Sequence, residues 1–203
     1  MTRPLDLTAA AVVTSECQNG VIGAESVLPD LAAAARASVI PNGARLCAAA
    51  RSVRAPVLHC VAGRRSDDRG SNRNARLFAA MLKSPVRLDL GTPAADVVPE
   101  FDRQPSDLLL SRIHGLNPMA GTDLDPILRN LGVETIVVVG VSVNVAVTNL
   151  VMDAVNLGYQ VVVPRDAVCG VPTDYADAVI DNTLSLLATV TTTEQVVHAF
   201  ESG

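Results

Sequence analysis

Apolar residues follow two rhythms along this chain. Residues 135–139 (TIVVV) are a continuous β-branched run, the pattern of a strand buried on both faces. Gly140 punctuates the run, and residues 143–157 then carry enough apolar positions for about four helical turns, with Ser142 placed to cap the start and Gly158 to stop the end. Residues 159–163 (YQVVV) read as a second buried strand. Strand, helix and strand in this order make a parallel βαβ unit. Open α/β sheets bind ligands in the loops at the carboxyl ends of such strands.

The same alternation extends both ways. Strands are predicted at residues 9–15, 56–61, 107–110 and 188–191, and helices at 29–38, 44–53, 74–83, 123–130, 174–187 and 193–200. Pro41 is expected to interrupt the second helical stretch, with Asn42 and Gly43 as a turn. Thr122 can cap the helix at 123–130, whose first turn holds Asp123 and Asp125 where the helix dipole favours acids. Residues 63–74 (GRRSDDRGSNRN) have no periodicity and read as a long polar loop, either simply solvated or a binding segment. Six strands alternating with helices predict one doubly wound, three-layer (Rossmann-like) α/β domain over residues 1–203, with a mostly parallel six-stranded sheet and Val137 on a central strand.

Composition narrows the chemistry. With 49% hydrophobic residues but only 2% aromatic, the core must be built from aliphatic side chains. A formal net charge of −5 gives no footprint for nucleic acid. No stretch reaches the length of a membrane span, and the start (MTRPLDL) does not resemble a secretory signal, so a cytoplasmic protein is expected. Cys17, Cys47, Cys60 and Cys169 lack CxxC spacing, and no HxxxH pair occurs, so neither a disulfide framework nor a metal site is signalled. Glycine-rich dinucleotide and P-loop motifs are absent too, and no cofactor is expected.

A carboxylate, Glu16, follows the first predicted strand directly, before Cys17, Gln18 and Asn19. Burying a charge is costly unless it is paired. The residues alone leave two readings, a charge in an exposed loop or helix cap, and an acid/base group. Residues 140–147 (GVSVNVAV) resemble the G-V-S-T-N-V-C-V-like motif of the isochorismatase-like hydrolases, also called the cysteine hydrolase superfamily. The resemblance spans nearly the whole chain and implies the same α/β fold. It places Ala146 where most of the family has its nucleophilic cysteine, and Glu16 where the family's D-x-Q-N-like motif has its catalytic aspartate. Counting forward from the third strand puts Arg112 on the family's catalytic lysine. Counting back from Gly121 and Thr122 puts Ile113 there instead. Arg112 is preferred and His114 is the other candidate.

What the resemblance implies is hydrolysis of a small, anionic molecule by a carboxylate acid/base rather than a thiol, as in isochorismatases that also lack the cysteine. Glu16 is then the general acid, Arg112 positions the anion with its planar fork, and backbone N–H groups near a cis peptide joining Val141 and Ser142 form an oxyanion hole. Gln18, His114, Asn117, Met119, Val141, Ser142 and Cys169 complete the expected substrate-binding set. Cys169 is also a candidate for a relocated nucleophile. The alternative is a non-catalytic binding protein or partner subunit, because all three catalytic positions depart from the common pattern. The expected partners are a small-molecule substrate and further copies of the chain, as a dimer or tetramer, with no nucleic acid and no membrane.

Overall fold

The computed structural model describes residues 5–202. Its sheet has the strands β1 (Ala10–Ser15), β2 (Val57–Ala62), β3 (Leu108–Arg112), β4 (Thr135–Val141), β5 (Gln160–Pro164), β6 (Val168–Cys169) and β7 (Thr189–Thr191). The order is β3-β2-β1-β4-β5-β7, with β6 paired to β4, and every ladder is parallel. The sheet therefore has seven strands where six were expected. The extra one arises because β5 pairs with β4 only through Val137, leaving Gly140 and Val141 to pair with Val168 and Cys169.

The helices are α1 (Asn19–Ile22), α2 (Pro29–Ala37), α3 (Val39–Ser52), α4 (Arg76–Leu82), α5 (Leu124–Asn130), α6 (Thr148–Asn156), α7 (Thr173–Asn182) and α8 (Thr193–Ser202). They cover both faces of the sheet. Side chains alternate across a strand, so Val12, Val137, Val139 and Val141 enter the core shared with α2, α3 and α8. Val13, Ile136 and Val138 enter the opposite core, shared with α5, α6 and α7. Each fully buried aliphatic side chain contributes about 1.5–3 kcal/mol, which is how a chain so poor in aromatics holds together. Among the described residues, no helix is long and apolar enough to cross a membrane.

Several local expectations need correction. Pro41 does not break a helix. The break falls at Ser38, and Pro41 sits in the first turn of α3, where its missing N–H costs no helical bond. Gly43, taken as a turn, lies inside α3, where the close Phe101 ring leaves no space for a Cβ, which would meet it at 2.5 Å. The helix over 174–187 stops at Asn182 and gives way to a short turn, Leu184–Leu186. Ser142 stands at the start of a helical segment but makes no side-chain cap. Its carbonyl instead accepts from the N–H groups of Val145 and Val147, both at 3.1 Å, around one π-helical turn, Val143–Val147.

Two local features hold the sheet, the first of them near its carboxyl edge. Gly140 has φ of 122°, and a Cβ there would lie 2.2 Å from the carbonyl oxygen of Ser15. Gly140→Ala is expected to lower stability by about 2–3 kcal/mol, read as a shift in denaturation midpoint with an unchanged slope. Between β1, β2 and α3, Asp107 accepts from Arg51 (Nε 3.1 Å, Nη2 2.6 Å) and from the Gln104 N–H (2.8 Å), and lies 3.4 Å from His59 Nε2. His59 Nδ1 meets Thr14 Oγ1 at 3.0 Å. Thr14, His59 and Asp107 line neither of the cavities described below, so this buried chain of polar groups is structural.

Candidate active site

Glu16 begins where β1 ends. Its φ of 56° puts a non-glycine residue in the left-handed region, a conformation that persists only where its surroundings enforce it. Those surroundings are specific. The Glu16 N–H donates to the Cys60 carbonyl at 2.9 Å, and its own carbonyl accepts from Gln18 N–H at 2.9 Å. Gln18 is fully buried and spends its side chain on the backbone, donating to Ala62 (2.8 Å) and Ala95 (2.9 Å) and accepting from Ala62 N–H (2.8 Å). Gln18 therefore locks the turn that presents Glu16, and is not free to bind substrate as expected.

Arg112 is the last residue of β3 rather than a loop residue beyond it. Its Nη2 donates to Glu16 Oε1 in a short contact. The Arg112 side chain is 4% exposed and that of Glu16 is 21% exposed, so the carboxylate faces the opening and the guanidinium stands behind it. Arg112 Nε and Nη1 are buried without a protein hydrogen-bond partner among the described residues. Unpaired buried donors are uncommon and call for an explanation.

The pair sits on the floor of a cavity of about 290 Å³ at the carboxyl ends of the strands. His114, Val141, Ser142 and Ala146 also line it, and the Val141–Ser142 peptide is cis. Ala146 lies in the π-helical turn after β4, across the floor from β3. A larger depression of about 960 Å³ lies at the other end of the sheet, lined from the amino ends of β1, β2 and β4, away from Glu16.

Three further expected binding residues lie elsewhere. Asn117 is buried and holds its loop to α6, donating to Asn149 and, at 3.1 Å, to Asp153, while accepting from Met119 N–H at 2.6 Å. Met119 belongs to the core beside α5 and α6. Cys169 pairs with Val141 through β6 and does not line the cavity. Nor does Cys169 look like a relocated nucleophile, since burial pushes its thiol up to about 12. Burial likewise raises Cys60 to about 12 and, against the opposing Arg51 charge, Cys47 to about 12. Cys17 is raised well above the usual thiol range, by burial first and then by its neighbouring thiols. Among the described residues, no cluster of His, Cys, Asp and Glu is arranged to hold a metal.

The cavity's walls were not anticipated. Leu31, Leu77, Phe78, Met81 and Leu88 line it, chiefly from α2 and α4. The available signal was the apolar run 77–82 (LFAAML) directly after a polar loop, in a helix none of whose residues is buried.

Sheet order, the carboxylate ending β1 and the helix-opening turn after β4 define a doubly wound α/β protein with its cleft at the carboxyl edge. The chain belongs to the isochorismatase family, whose members are hydrolases: the Isochorismatase domain profile matches residues 10–195. It is 28% identical over 130 residues to the uncharacterized isochorismatase family protein YecD of Escherichia coli O157:H7, covering 60% of this chain and 67% of that protein. A cysteine hydrolase from Pseudomonas syringae pv. phaseolicola 1448A shares the fold with a TM-score of 0.83 and 23% identity, over 99% of this chain and 96% of that one. N-carbamoylsarcosine amidase from Thermoplasma acidophilum superposes with a TM-score of 0.73 at 19% identity, over 92% of this chain and 98% of the other.

Proposed function

We propose that this chain hydrolyses a small molecule with Glu16 as the proton-transfer group and without a thiol nucleophile. The observation that carries this is the Glu16–Arg112 pair on the floor of a cavity that no cysteine lines. Arg112 cannot exchange protons near neutral pH, so its part is to fix and orient Glu16 through Oε1. The other carboxylate oxygen is then the one that works. Glu16 takes a proton from water as the water oxygen bonds to an electrophilic carbon. It returns that proton to the leaving group as the scissile bond breaks. The same carboxyl, entered protonated, would act first as the acid on an enol-ether substrate. Ala146 leaves room for the reacting group.

A second reading has one observation in its favour. Ala146 supplies no nucleophile, so a chain that binds ligand without turnover is also compatible with the site. A panel of uncharged carboxamides and esters, then small carboxylates, separates the two. The amidase named above supports starting with carboxamides. Product should form, and Cys17→Ala/Cys169→Ala should keep its rate within about threefold. No product across the panel would favour binding alone. Loss of turnover in the double variant, with folding intact, would return a thiol to the mechanism.

A further inference from the structure

The expected substrate was anionic, yet both arginines that line this cavity are already paired with carboxylates. Arg112 is engaged by Glu16. Arg64, the other cation in the lining, is held by Asp68 at 2.6 Å, and Asp68 and Asp89 are in turn bridged by Arg87 at 3.1 and 2.9 Å. Arg65 pairs with Asp67 at 3.0 Å outside the cavity. Neither of the two arginines in the lining is left uncompensated to repay the desolvation of an anion.

The walls say what enters instead. α4 has no buried residue, although residues 77–82 are all apolar, and Leu77 and Met81 remain 45% and 40% exposed. Val27, Leu28 and Leu31 line the same cavity. An apolar helix left uncovered over an apolar hollow is hydrophobic surface awaiting a partner of the hollow's own size. The wall is anchored, not loose. Arg64 Nη1 donates to the Met81 carbonyl at 2.9 Å, and the base of the loop carrying α4 is closed by Arg64 N–H to Leu88 O (2.9 Å) and Leu90 N–H to Arg64 O (3.1 Å). On the floor, Glu16 and Arg112 are the polar groups beside which a neutral carbonyl can lie.

We infer that the cavity takes an uncharged carbonyl compound with an apolar body, the body lying between α4 and residues 27–31 and the carbonyl beside Glu16 and Arg112. α4 is then the specificity wall. This rests on the hydrolase reading for the fate of the carbonyl, whereas the binding stands apart from it.

The test is ligand-observed NMR titration of butanamide, pentanamide and hexanamide, with hexanoate as the charged counterpart of the last. Affinity should rise about fourfold per methylene, corresponding to ~0.8 kcal/mol each, and hexanoate should bind no tighter than hexanamide. Leu77→Asn, at an exposed position, should flatten the series without altering the fold. A flat series in the native chain, no binding of any amide, or hexanoate binding more than tenfold tighter overturns the inference. A flat series with turnover present defeats this inference alone. A rising series with no turnover of any panel compound defeats only the hydrolase reading.

Discussion

Glu16→Gln should lower turnover by roughly 10²–10⁴-fold while leaving ligand affinity within a few-fold. The amide retains an oxygen that can accept from Arg112 and fits the same left-handed backbone position. It cannot carry a proton to or from the reacting atoms. Losing the charge leaves Arg112 uncompensated, so a stability loss of about 1–2 kcal/mol is expected, reduced because Glu16 is partly solvated. Glu16→Asp is the matching control. It keeps the charge but withdraws it by roughly 1.5 Å, and should retain partial activity. If the glutamine variant lost binding and turnover together, the carboxylate would be a ligand anchor rather than a proton carrier.

The second large effect concerns stability. Asp107→Ala should cost about 3–5 kcal/mol, because it strands Arg51 and leaves the wholly buried His59 without its second partner. The pH dependence has a defined sign. Burial alone pushes Asp107 up, but the hydrogen bonds from Arg51 and Gln104 and the Arg51 charge outweigh it and hold the carboxyl below its ordinary value. Its stabilisation is therefore present above the usual carboxylate range and is lost as pH falls through its folded value. Burial also lowers His59, against the pull of Asp107. The unfolded chain then takes up the histidine proton first, and stability declines as pH drops below about 6.5. Urea midpoints should fall from pH 7 to pH 5.5, and again below pH 4. A midpoint flat from pH 7 to pH 3 would contradict this assignment.

The sheet was legible because its strands are buried on both faces and advertise themselves as aliphatic runs, residues 135–139 most plainly. The π-helical turn at Val143–Val147 was not legible, since periodicity cannot tell it from the α-helix it opens. The family resemblance pointed to Glu16, Arg112 and Ala146, and the fold brings all three to one cavity. Gln18 and Asn117 do not line it, because amides that look available in a sequence are consumed by backbone and neighbouring side chains in the fold. Cys169 and Met119 fell outside the cavity because strand pairing and core burial, which depend on distant segments, decide their direction. The apolar walls were missed for the opposite reason. α4 is far from Glu16 in sequence, and charged pairs and backbone hydrogen bonds between distant residues hold the loop that carries it at the cavity.

Proton transfer by Glu16 to and from water predicts that no covalent intermediate forms on the protein. The direct measurement is rapid-quench mass spectrometry of the intact chain during turnover of whichever panel compound reacts fastest. The mass should remain that of the unmodified protein at every time point. An acyl adduct that appears and decays at the turnover rate, on a cysteine or on Glu16 itself, would contradict the account.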